Sequence, residues 1–260
     1  RLVAPFASLF PRVLHAPARV AGRLPHGDHA RIPPRTSGSN GKSERRVALH
    51  VGCVQEAIAP RITTAALRVL TRHGFEVTTV EGTGCCGSLN HHLGQTNEAR
   101  RHAKALVDDI ASHESEKPFD AIVTTASGCG AAMRDYGFHM RGDRAEGVAT
   151  RTRDIAEVLR DVPLKTGRAH RATRIAYHAA CSMTHGMKQA VAAPQILRTL
   201  GFDIVEPRDT LCCGSAGVYN VLEPDIAGRL QERKARTLME TKPKLIATGN
   251  IGCLAQIAAA

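Results

Sequence analysis

Eight cysteines, in a chain of 260 residues, supply the only side chains whose types and spacing suggest a chemistry. They are Cys53, the adjacent pair Cys85-Cys86, Cys129, Cys181, the pair Cys212-Cys213, and Cys253. Thiolates are soft ligands, and four of them converging on one point suit an iron–sulfur cluster or a Zn ion. Disulfides fit poorly, because neighbouring cysteines rarely bond each other and no secretory signal precedes them. A buried cysteine can also be no more than a small hydrophobe. An adjacent Cys-Cys followed by Gly, present twice, argues against that reading. Zinc stays open, although its sites usually present cysteines two residues apart and no such pair exists here.

The elements that position these thiols repeat along the chain. Arg46 to Cys53 matches Arg174 to Cys181 at an offset of 128, and Gly74-Phe75 matches Gly201-Phe202 at 127. Cys85-Cys86-Gly87-Ser88 matches Cys212-Cys213-Gly214-Ser215 at 127, and Thr124 to Cys129 matches Thr248 to Cys253 at 124. All eight cysteines fall on equivalent positions, which is an internal duplication. In the first copy, apolar and β-branched runs predict strands over 47–51, 75–80 and 121–125, and helical spacing predicts helices over 61–73 and 97–110. The second copy predicts strands at 174–178, 202–206 and 244–248 and helices at 187–200 and 224–240. Strands alternating with single helices imply βαβ units, so the expected fold is α/β, two tandem Rossmann-like parallel sheets related by a pseudo-twofold axis.

Each cysteine then follows a strand, and in a parallel sheet the loops after the strands share one edge. Four thiols per copy should meet there. Gly52, Gly84, Gly87, Gly128, Gly214 and Gly252 allow close backbone approach and offer N–H groups to sulfur. His50 and His178 sit three residues before the first cysteine of each copy, and His185 four after Cys181; each could support the thiols from behind or could simply fill space.

Composition sets the remaining bounds. Hydrophobic residues make up 43% and charged residues 23%, enough for a folded core, and no apolar run is long enough to span a membrane. The net charge is +11, and residues 1–46 carry nine Lys/Arg against Asp28 and Glu44, together with six prolines. Residues 1–45 therefore read as a basic, Pro-rich linker. Nucleic acid is not an expected partner, since aromatic stacking residues are scarce.

The two copies resemble the cysteine-rich CCG domain, found in heterodisulfide reductases, lactate-utilisation proteins and the glycolate oxidase iron–sulfur subunit. The resemblance to that subunit covers residues 46–260 and is carried by Gly52-Cys53-Val54-Gln55, by the stretch Gly84 to Gly94, and by Thr125 to Gly130. In the second copy it is carried by the stretch Tyr177 to Gly186, by Leu211 to Gly217 and by Ala247 to Cys253. The resemblance implies two repeats, 46–165 and 166–260, and an electron-transfer subunit whose eight cysteines hold iron–sulfur clusters. His50, His178, His185, Gly87, Gly214 and Asn250 would surround them. It further implies a flavin-bearing partner subunit carrying FAD that oxidises glycolate, a quinone or other membrane acceptor, and a place in the cytoplasm at the inner face of the cell membrane. Alternatives are a heterodisulfide-reductase-like or lactate-utilisation redox protein, or a Zn-stabilised scaffold.

The chain departs from the family pattern in two ways. Nothing matches the N-terminal ferredoxin-like domain of full-length members, so the chain is expected to be a shortened form. The first cysteine of the family's Cys-x-x-Cys element is Ala126 in one copy and Asn250 in the other. Four thiols per copy leave a cubane [4Fe–4S] cluster, a non-cubane cluster, or metal in a single copy all open.

Overall fold

The computed structural model describes residues 45–80, 85–114, 117–164 and 173–260. The expected linker, except Arg45, and the expected border between the repeats at 165/166 fall outside the described residues, as does Gly84.

The first repeat begins with strand β1 (Arg45–His50), then α1 (Cys53–Ile58), α2 (Arg61–Arg72), β2 (Phe75–Val80), α3 (Ser88–His92), α4 (Thr96–Ser112) and β3 (Ala121–Thr124). It continues with α5 (Ser127–Arg134), α6 (Tyr136–Met140), α7 (Asp143–Arg151), β4 (Thr152–Asp154) and α8 (Ile155–Arg160). The second holds β5 (Arg174–His178), a π-helical turn (Ser182–Gly186), α9 (Ala192–Thr199), β6 (Asp203–Val205), α10 (Tyr219–Leu222), α11 (Pro224–Glu240), β7 (Leu245–Thr248) and α12 (Ile251–Ala258). Every strand pairing is parallel, in the orders β2-β1-β3-β4 and β6-β5-β7. The expected pair of parallel α/β sheets is what the chain forms.

Alternation along β1 sends Val47 and Leu49 to one face and Ala48 to the other. The first face packs on Ala66, Leu70, Phe75, Val77, Val123 and Leu159; the second on Leu106, Ile110, Phe119, Ile122 and Met133. Helices cover both faces, which is why Val47-Ala48-Leu49 of β1 and Ala121-Ile122-Val123 of β3 are continuous apolar runs. Helix α4 buries Ala99, Ala103, Leu106, Val107 and Ile110, the stripe of a helix lying on a sheet.

The fold adds shorter helices that the residue pattern does not place, α1, α3, α5 to α8, α10 and α12, and it differs from expectation at two further points. The helix expected from residue 187 starts at Ala192, because the chain after Cys181 winds into the π turn and Lys188 then takes φ 55, which breaks helical continuation. The residue pattern does not predict strand β4: its sequence Thr-Arg-Asp has no apolar alternation, and pairing with β3 defines it.

The repeats meet along a reciprocal seam. Helix α12 of the second repeat packs Ile251 and Leu254 against Val54 and Ile58 of α1. In the mirror contact, Ala131 of α5 packs on Met183 and Met187 beside the π turn. Arg134 joins the seam by gripping both Glu157 oxygens, at 2.7 and 2.9 Å, while donating to Met187 O.

Candidate metal centre

The loops after the strands gather the thiols as the topology demands. In the first repeat Cys53 opens α1, directly after β1, and Cys129 lies in the first turn of α5, after β3. Cys85-Cys86 leads into α3. The Cys53 and Cys85 side chains are hydrogen-bonded to each other, as are those of Cys86 and Cys129. A Cβ placed on Gly52 would lie 3.6 Å from Cys129 Sγ, so both loops converge. In the second repeat the contacts run in a chain from Cys181 to Cys212, from Cys212 to Cys213, and from Cys213 to Cys253.

The backbone is shaped to serve sulfur. Gly87 takes φ 78 and donates its N–H to Cys85 Sγ at 3.3 Å; Gly214 takes φ 93 and donates to Cys212 Sγ at 3.4 Å. A side chain on either would collide with a helix backbone, at 2.4 Å from Ala99 O and 2.5 Å from Ala227 O. Helices α5 and α12 point their N-terminal ends at the site, which favours anionic sulfur.

The thiols do not share one acidity. The hydrogen bond from Cys53 holds the Cys85 thiol down to about 6, while Cys53 is pushed far up. The same division holds between Cys86, lowered by its bond from Cys129, and Cys129, raised by that bond and by burial. Cys213 is raised to about 12: its bond with Cys212 pulls the value down, and its bond with Cys253 and burial outweigh that pull. Cys181 is raised by burial first, and Cys212 by its bond with Cys213 first.

The six supporting residues divide. His50 and His178 are 2% and 3% exposed at the ends of β1 and β5. Burial lowers both rings to about 4, with Lys234 adding to the effect on His178, so both are neutral. His50 Nδ1 and Nε2 and His178 Nε2 are buried with no hydrogen-bond partner among the described residues, as are the equivalent hydroxyls of Thr124 and Thr248. Orphaned polar atoms at matching places in both repeats, with His178 beside Cys213 and Cys253, are what a binding site for a metal group presents. The residues fit such a group. His185 is exposed on the π turn instead of buried among sulfurs.

Asn250 does two tasks. Its Oδ1 accepts from Gly252 N and Cys253 N, capping α12, and its Nδ2 donates to Ser127 Oγ and Ser182 Oγ, each at 3.2 Å. Its counterpart Ala126 has no side chain to cap α5.

Three further residues have a role at the site that the residue pattern does not disclose. Lys234 is buried in α11, donates to Asp209 O at 2.7 Å, and places a cation near Cys181 and His178. Tyr136 donates to Cys86 O at 2.8 Å and Gln55 is buried against Thr63 and Thr125.

Comparison with known proteins agrees with this geometry. The description "Cysteine-rich domain", CCG, matches residues 47–134 and 175–258. This chain belongs to the CCG cysteine-rich domain family. The glycolate oxidase iron–sulfur subunit of Escherichia coli (strain K12) is 33% identical over 91% of the chain and 60% of that protein. A probable glycolate oxidase iron–sulfur subunit of Bacillus subtilis (strain 168) is 28% identical over 96% of the chain and 57% of its own length. Lactate utilization protein A of Oceanobacillus iheyensis is 26% identical over 82% of the chain and 88% of its own length. The CCG chain described here thus spans about three-fifths of the two glycolate oxidase relatives. No helix among its described residues is long and apolar enough to cross a membrane.

Proposed function

We propose that this chain is an iron–sulfur electron-transfer subunit of a complex that oxidises a 2-hydroxy acid, glycolate in the first instance. The observation that carries it is the gathering of four thiols in each of two CCG repeats, in a chain 33% identical to a glycolate oxidase iron–sulfur subunit. Cys53, Cys85, Cys86 and Cys129 hold one metal group, and Cys181, Cys212, Cys213 and Cys253 the other. Such a group, when bound, passes single electrons, whereas a flavin accepts the hydride from substrate. FAD therefore belongs to a partner subunit, and the onward acceptor is a quinone or another membrane electron carrier, reached from the cytoplasmic face. This chain's part is to hold the metal: Gly87 and Gly214 offer N–H groups to sulfur, and the low Cys85 thiol supplies a ready thiolate.

A second reading, lactate as the substrate, is favoured by the alignment with nearly the whole length of a lactate utilization protein. Glycolate and lactate reduction of the partner flavoprotein in the reconstituted complex distinguishes them.

The test is iron, zinc and acid-labile sulfide in anaerobically purified protein, with the EPR spectrum after reduction. Iron and sulfide near four per repeat support the relay, with Cys85→Ser and Cys212→Ser each removing the share of its own repeat. Zinc without sulfide, or iron unchanged in both variants, overturns it.

A further inference from the structure

The two sites are not chemically equal. A ring nitrogen of His178 and the sulfurs of Cys213 and Cys253 lie within 4.8 Å of one another, the only such trio among the described residues. All three residues are buried, at 3%, 1% and 8% exposure. A metal atom with sulfur ligands at about 2.3 Å and imidazole nitrogen at about 2.0 Å sets its ligands roughly 3.5–3.8 Å apart. The trio is thus at most about an ångström wider than the spacing one metal atom imposes. His50 stands at the matching end of β1 and is as deeply buried, yet it joins no comparable trio among the described residues.

An imidazole nitrogen buried without a partner costs free energy that a structure normally avoids. His178 Nε2 is such an atom, and the ring is held at the strand end that opens onto the thiols. Imidazole and thiolate together suit borderline metals such as iron and zinc.

We propose that His178 is a direct metal ligand, so that the second repeat binds through a mixed imidazole–thiolate set with Cys213 and Cys253 while the first binds through thiolates alone. This rests on the reading that the cysteines hold a metal group. The ligand chemistry is the same whether the metal is one iron of a cluster or a lone Zn²⁺ or Fe²⁺. In a cluster, neutral imidazole in place of thiolate makes the centre less negative and raises its reduction potential above that of the first repeat.

The experiment uses the whole chain, purified anaerobically with ¹⁵N-labelled histidine. Pulsed EPR of the reduced protein reads nitrogen bound to iron, and X-ray absorption at the zinc edge reads nitrogen bound to zinc. The expected result is one directly bound nitrogen, retained in Cys85→Ser and lost in His178→Gln. In His178→Cys, which keeps a ligand at the position and a folded protein by circular dichroism, sulfur replaces that nitrogen. Metal that Cys213→Ser releases but that shows sulfur-only coordination in the unaltered protein overturns the proposal, and where that metal is iron the electron-transfer reading still stands. A chain that binds neither iron nor zinc overturns both.

Discussion

Asn250 Nδ2 lies 3.2 Å from Ser127 Oγ, so the residue that caps the last helix of the second repeat also ties it to α5, the helix that carries Cys129 in the other. Asn250→Ala removes both functions, and a lost N-cap alone costs about 0.5–2 kcal/mol. Asn250→Asp keeps the accepting oxygen and loses only the donor across the seam. Urea unfolding should order the stabilities as unaltered chain, then Asn250→Asp, then Asn250→Ala. Equal midpoints for all three would show that neither contact stabilises the fold.

Gly214 and Gly201 separate two costs of adding a methyl group. Both take positive φ, 93 and 90, but only at Gly214 would the new Cβ meet backbone, 2.5 Å from Ala227 O; at Gly201 nothing lies within 4 Å. Gly201→Ala should lose about 1–3 kcal/mol from the backbone conformation. Gly214→Ala should lose more than that and also bind less metal, since α11 must shift away from the Cys212-Cys213 loop. Equal losses would remove the close approach from the account.

In metal-free protein Cys85 should be the first thiol alkylated by iodoacetamide. Its thiol is lowered to about 6 by the Cys53 hydrogen bond, so the reactive thiolate is present at pH 7 and is lost as pH falls through 6. Cys53→Ala removes that bond and should move the midpoint of labelling upward, toward the ordinary thiol value. Peptide mapping of the labelled protein against pH reads both. Labelling led by Cys53 would contradict the assignment.

Asp154 offers a stability test away from the thiols. Burial raises its carboxyl from 3.8 to about 6, although it caps α8 by accepting from Ala156 N. Between these values the folded chain binds more protons than the unfolded one, so stability falls as pH rises from about 4 to 6, by up to about 3 kcal/mol. Asn also caps helices, and Asp154→Asn removes the charge. The variant's stability advantage should grow between pH 4 and 6 and stay level above, read by denaturant unfolding at each pH. An advantage that does not change with pH would place the charge elsewhere.

Most of the frame was legible in the residues. The strands 75–80 and 174–178 and the helix 224–240 fall where the pattern places them, because parallel strands buried on both faces and a Pro-initiated helix leave strong local signals. The grouping of the cysteines followed from topology, since strand ends in a parallel sheet share an edge. Strand β4 and the π turn left no such trace: three polar residues become a strand only by lying beside β3, and the turn depends on how Met183 and Met187 pack against α5. Lys234 reads as an ordinary helix-surface cation and becomes a buried charge only because α11 turns that side toward the sheet. Asn250 was legible as a departure from the cysteine pattern, but its reach to Ser127 and Ser182 depends on how the repeats dock.

The reciprocal seam has a consequence for ancestry. Each repeat offers the other the same two surfaces, the helix after its third strand and the turn at its first cysteine, which is the arrangement by which two identical subunits close a dimer about a twofold axis. A lone repeat would leave Val54, Ile58 and their counterparts uncovered until it met a second copy. Joining the copies in one chain made that meeting intramolecular. It also frees each copy from having to match itself, and position 126 is alanine where its counterpart 250 is asparagine.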